Sequence, residues 1–213
     1  MKLKSVTVLL LLISGMAFAQ VPYTEVKVGR MDPESSRAGN LFGITIGRTI
    51  DESLSYGVEL NYFQKNFKDE VSVLVSEDGG IKVVEKIRNF EQTTHILPIL
   101  VKLNYEHPLG FRKSPVYLRA SAGLGWEFVW NKENNYVDNI HKTRFFNGVG
   151  WQLSTGLGLA ISSSGNAFID LFYNDSRVKR NKVKNEVGLP TWEELNVSGF
   201  GIKVGVSLVG FGF

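Results

Sequence analysis

The sequence predicts an all-β fold: an eight-stranded antiparallel up-and-down β-barrel that crosses a membrane. Three observations carry this. Apolar and polar residues alternate with period two through eight segments of the 213-residue chain, the pattern of strands with a different environment on each face. The apolar faces end in Trp, Tyr or Phe, as rings at a lipid–water boundary do. The opposite faces carry glycine, serine and ionised groups, which suit a narrow lumen and not a lipid surface.

The chain opens with "MKLKSVTVLLLLISGMAFAQ". Two lysines precede an apolar run from Val6 to Ile13, and Ala17-Phe18-Ala19 follows. This is the pattern of a secretory signal, whose apolar part is too short to span a bilayer as a helix. The expected division is a signal peptide over 1–19 and a barrel domain over 20–213. Without Lys2 and Lys4, 22 basic face 21 acidic residues, a net of +1. That balance argues against a nucleic-acid partner, which calls for a concentrated basic face. No cysteine is present, so there is no disulfide framework, thiolate metal site or lipid-anchoring Cys. Beyond residue 20 no apolar run approaches the ~18 residues of a membrane helix. Any membrane segments must therefore hide in the alternation.

In order, "TEVKVG" is the weakest strand, with Val26 and Val28 opposite Glu25 and Lys27. "LFGITIG" sets Phe42, Ile44 and Ile46 against Gly43, Thr45 and Gly47. "SYGVELNYF" sets Tyr56, Val58, Leu60 and Tyr62 against Gly57, Glu59 and Asn61. "ILPILVKLNY" opposes Leu97, Ile99, Val101, Leu103 and Tyr105 to Pro98, Leu100, Lys102 and Asn104. "VYLRASAGLGWEFVW" places Leu118, Leu124, Trp126 and Trp130 opposite Arg119 and Glu127. "GWQLSTGLGLAI" places Trp151, Leu153 and Leu157 opposite Gln152 and Ser154. "NAFIDLFYND" sets Ile169, Leu171 and Tyr173 against Phe168, Asp170 and Phe172. "SGFGIKVGVSL" sets Phe200, Ile202, Val204 and Val206 against Gly201, Lys203 and Gly205. Pro98 removes a ladder donor, so a local bulge is expected there.

Connector lengths give the topology. Short turns are expected at Asp51–Ser55, Glu106–Pro115 and Ser162–Asn166 on the periplasmic side. Longer connections are expected outside, over Met31–Ala38, around "SEDGG", over Asn131–Phe145 and over Asn181–Leu195. Val71–Val75 and Ile81–Ile87 should form a hairpin projecting past the bilayer. Short turns on one side and longer loops on the other are the habit of outer-membrane barrels.

The mature chain resembles the small outer-membrane β-barrel proteins, the OmpA/OmpX-like group and its PorT-like relatives. The residues that carry the resemblance are the signal pattern, "YGVELNYF", "ILPILVKLNY" and the closing "GIKVGVSLVGFGF". It implies that Phe213, with Phe211, is an assembly signal read by the barrel-insertion machinery. Physically, a C-terminal strand offers an open edge for strand addition. Both residues lie in phase with Lys203 and Ser207, so either a bulge near Val209–Gly210 or departure from the sheet is expected.

By alternation Glu25, Lys27, Glu59, Lys102, Arg119, Glu127, Asp170 and Lys203 point into the lumen, four acids and four bases. They are expected to pair into a plug, because eight strands leave room only for side chains. Arg177, Lys179, Arg180, Lys182 and Lys184 would make the outer rim basic, a candidate contact for lipopolysaccharide phosphates. The three histidines, His95, His107 and His141, show neither ligand spacing nor a serine partner. No catalytic residue, cofactor or metal is assigned. The reading is a monomeric, non-enzymatic, integral protein of the bacterial outer membrane, with a structural or surface-interaction role and outer-membrane lipid as its environment. The alternatives are a soluble periplasmic lipid-binding barrel, a lipid-modifying outer-membrane enzyme and a PorT-like secretion accessory.

Overall fold

The computed structural model describes residues 21–78, 81–110, 114–182 and 191–211, with side chains for all of these except 73–85, 181–182 and 191. The expected signal peptide, Lys184 and Phe213 lie outside the described residues. The strands are β1 (Pro22–Pro33), β2 (Gly39–Thr49), β3 (Leu54–Asp78), β4 (Ile81–Pro108) and β5 (Val116–Asn135), then β6 (Ile140–Ala160), β7 (Gly165–Lys182), β8 (Thr191–Asn196) and β9 (Gly199–Val209). Strands β1 to β7 pair antiparallel in sequence order, β7 pairs with both β8 and β9, and β9 closes on β1.

Nine strands make eight wall positions. Arg177 faces Asn196 and Asn174 faces Gly199 in one unbroken register. β8 and β9 are therefore two pieces of the eighth wall strand, parted at Val197–Ser198. In that gap the Ser198 hydroxyl accepts the Ser176 N–H at 3.1 Å and donates to Asp175 Oδ1 at 2.7 Å.

The register also sets the shape. Cross-strand partners lead from Pro22 through Arg48, Tyr56, Leu103, Ala122, Leu153, Tyr173 and Phe200 to Asp32. One circuit thus advances ten residues, 22 to 32. With strands about 4.8 Å apart and a rise of about 3.3 Å per residue, that stagger tilts eight strands by about 40° and holds the backbone roughly 8 Å from the axis.

The faces are inverted relative to a soluble barrel. Val101, Leu124 and Leu171 are 67, 61 and 60 % exposed, while Lys102, Arg119 and Asp170 are 2, 3 and 2 % exposed. Outward rings collect toward the strand ends. Tyr173 lies 4.7 Å from Phe200 and 5.8 Å from Trp151, and Trp130 lies 5.4 Å from Phe145.

Several boundaries differ from expectation, for one reason: strand pairing continues beyond the apolar band. β5 runs to Asn135 and β6 begins at Ile140, so the expected loop Asn131–Phe145 shrinks to Tyr136–Asn139. There the Asn135 side chain accepts the N–H groups of Val137 and Asp138. The expected loop Asn181–Leu195 contains strand β8, and Met31–Ala38 begins within β1. β3 and β4 project as a two-stranded ribbon, with register shifts between Asp69 and Glu70 and between Leu74 and Ser76. Pro98 makes no bulge. Leu60 faces Ile99 and Phe63 faces Ile96 in the same register, so Pro98 only interrupts the ladder between those rungs.

Val101→Arg puts a cation in the middle of the outward apolar band. Urea unfolding in lipid, followed by the gel shift of the unboiled barrel, should show a loss of about 2–4 kcal/mol.

Candidate functional site

The lumen is filled in two tiers. The tier nearer the short turns is ionic, because β1, β3, β4, β5, β7 and β9 each turn a charged residue inward there. Glu59 is its centre. Its Oε2 lies 2.6 Å from Lys27 Nζ and 3.0 Å from Lys102 Nζ, and its Oε1 lies 3.3 Å from Lys203 Nζ. Asn61 and Gln152 amides also donate to Glu59 Oε1, at 2.6 and 3.3 Å. Arg119 donates to Glu25 Oε1 at 2.5 Å, reaches Asp170 Oδ1 at 3.6 Å and Glu106 Oε1 at 3.5 Å, and lies 3.9 Å over the Phe168 ring. Space for these groups comes from inward glycines. A Cβ on Gly158 would collide with the Tyr117 ring.

All eight residues expected in the lumen are buried there, but seven of them form the network. Glu127 makes no ion pair among the described residues; Asn174 Nδ2 donates to its Oε1 at 2.8 Å. The fourth acid of the network is instead Glu106, which was expected in a turn and belongs to β4. Glu127 stands higher because it is eight residues along β5 from Arg119, with Phe172 of β7 between Asp170 and Asn174 on the same inward face. Alternation fixes which face a residue takes; it does not fix its height.

The second tier was missed from the sequence. Met31, Leu41, Phe63, Ile96, Val129, Phe146, Phe172, Val178 and Val197 form a buried apolar cluster toward the outer end. The signal was present in Phe172, an apolar residue on an otherwise polar face. Above this cluster the ribbon is tied at its base by Arg88, which reaches Glu70 at 3.0 Å and Glu91 at 3.2 Å. The Asn66 amide donates to Glu91 at 2.9 Å and, with Arg88, holds that carboxyl below its ordinary value.

The rim cations are divided. Lys179 pairs with Glu194 at 3.2 Å and Arg180 with Glu193 at 3.9 Å across the β7–β8 hairpin. Arg177 is exposed on β7. The Lys182 side chain and Lys184 lie outside the described residues. At the chain end β9 stops at Val209 and Gly210 takes a left-handed φ of 81°, so Phe211 leaves the sheet, 66 % exposed. The Thr24 hydroxyl donates to the Phe211 carbonyl at 2.9 Å. Of the two expected outcomes there, departure from the sheet is the one found.

The histidines are scattered. His95 Nδ1 lies 2.6 Å from the Tyr62 hydroxyl, His107 stacks on Tyr105, and His141 Nδ1 lies 3.0 Å from Asn134 Oδ1.

A closed eight-stranded wall, apolar outside and ionic within, defines the class: a small transmembrane β-barrel of the bacterial outer membrane. Solved structures agree on the fold. The chain resembles Neisserial surface protein A (15 % identity, TM-score 0.53, covering 88 % of this chain and 96 % of that one). It also resembles outer membrane protein OprG from Pseudomonas aeruginosa (15 % identity, TM-score 0.52, 91 % and 97 %) and a major outer membrane protein from Thermus thermophilus (12 % identity, TM-score 0.53, 88 % and 98 %). No protein-family model matches the chain, and no curated protein does.

Arg119→Met removes the cation shared by Glu25, Asp170 and Glu106. Stranding those acids should cost about 3–5 kcal/mol, typical of breaking a buried pair, measured by urea unfolding of the folded barrel.

Proposed function

We propose that this protein is a non-catalytic, sealed barrel whose function lies on its outer surface. The supporting observation is the contrast between the two parts of the molecule. Two stacked tiers of side chains fill the cylinder, while β3 and β4 continue outward to Asp78 and Ile81 as a paired ribbon. A filled lumen of this width conducts nothing. The ribbon presents Val71 and Ile87 to solvent, each 46 % exposed. The three histidines each meet a ring or an amide and not a serine–acid pair, which supports the non-catalytic reading. In planar bilayers the purified barrel should show no resolved conductance. Deleting residues 67–90 should leave the gel shift of the folded barrel intact while abolishing adhesion of cells or liposomes carrying it. Steady channel openings, or adhesion unaffected by the deletion, would refute the proposal.

The outer rim is a candidate contact for lipopolysaccharide phosphates. Arg177 supports that reading best, since it is exposed just beyond the Trp151–Tyr173 pair, while Lys179 and Arg180 are engaged by Glu194 and Glu193. Arg177→Glu should lower the lipopolysaccharide that co-purifies with the barrel, measured as phosphate per protein. An unchanged ratio removes the idea. The exposed Phe211, set free by Gly210, is consistent with a terminal assembly signal, whose recognition a strand-addition step would accomplish.

A further inference from the structure

Glu127 is fully buried, with 0 % exposure, between the ionic tier and the apolar cluster. Among the described residues no cation reaches it. An isolated carboxylate in such a place is costly unless something positive meets it. Two of the oxygens here, Glu127 Oε2 and Asn174 Oδ1, are buried without a hydrogen-bond partner, and the Ser176 hydroxyl, also buried, lies within reach of the Glu127 carboxyl; the three residues are 0, 1 and 3 % exposed. The Asn174 amide nitrogen is already committed to Glu127 Oε1, at 2.8 Å. Gly150 opens the space between these groups. A Cβ there would strike Glu127 Oε1 and come within 2.8 Å of the Ser176 Cβ. Phe172, the inward residue two positions before Asn174 on β7, has Lys203 Nζ 4.9 Å from its ring centre.

We infer that Glu127, Asn174 and Ser176 form a cation site in the lumen, taking one hard monovalent ion such as Na⁺. A carboxylate, a carboxamide oxygen and a hydroxyl are the oxygen donors that hard cations select. One carboxylate balances one positive charge. A divalent ion would leave an excess charge in a dry tier, since Glu127 is the one acid among the three ligands. The lumen is sealed above and below, so the ion is captured as the barrel closes and exchanges slowly afterwards.

The test refolds the full chain from urea into detergent micelles in sodium chloride or in choline chloride at equal ionic strength. Thermal unfolding is then read from the gel shift. In the native protein the midpoint should rise with Na⁺ and saturate, as binding to the folded state alone requires. Glu127→Gln should lose the Na⁺ dependence. Should that variant fail to fold, Ser176→Ala keeps the carboxylate and loses one ligand oxygen. Its half-maximal Na⁺ concentration should rise by at least about ten-fold. Equal midpoints in the two salts, or a Ser176→Ala response identical to the native one, would overturn the site. So would an infrared band of a protonated carboxylic acid in sodium chloride.

Discussion

Closure of β9 on β1 is the constraint on which the rest depends. Inside hydrocarbon no water is present to satisfy an unpaired N–H or C=O, so a sheet can cross only by leaving no edge. The β1–β9 ladder runs from Tyr23–Val209 to Pro33–Gly199 and removes the last one. The stagger of ten residues that closure imposes then tilts the strands and sets the bore. Everything inside must fit a cylinder of that width, which is why glycine faces Tyr117 and Phe172 across the wall.

The bore is filled with two materials in different ways. The lower tier places Glu59 among three ammonium groups, so its charges compensate one another and side-chain amides take up further lone pairs. Such a network contributes little net stability compared with apolar packing, but it makes every member hard to remove singly. The upper tier is ordinary apolar packing turned inward, in which Phe63, Ile96 and Val129 are wholly buried. It lies toward the outer end of the wall, with Met31 of β1 and Leu41 of β2 among its members, and there the alternation returns toward the arrangement of a water-soluble sheet. Along the outer ribbon, among the described residues, β3 pairs with β4 alone.

Among the described residues, Glu127 at the boundary between the tiers is an inward charge with no ion pair. Glu127 belongs by sequence phase to the charged set, yet by height it sits above the last lysine. A one-dimensional count of acids and bases balanced only because Glu106, assigned to a turn, was omitted while Glu127 was included. Glu127 does face the lumen, as expected, but it joins no ion pair among the described residues, and Glu106 takes its place in the network.

Sequence alone determined the strands, their faces and the inversion of those faces. Period-two alternation is a local property, and residues such as Val101 and Lys102 show their opposite preferences as immediate neighbours. It also determined that Phe211 could not continue the sheet in phase. Tertiary structure decided what depends on stagger. That includes which inward charges share a level, how far pairing continues past the membrane, and which apolar residues on the polar face meet as a core. The physical reason is that one circuit of the wall shifts the chain by ten residues. Groups that meet in the lumen, such as Glu25 and Arg119, are related by the closure of the cylinder and by no spacing written along the chain.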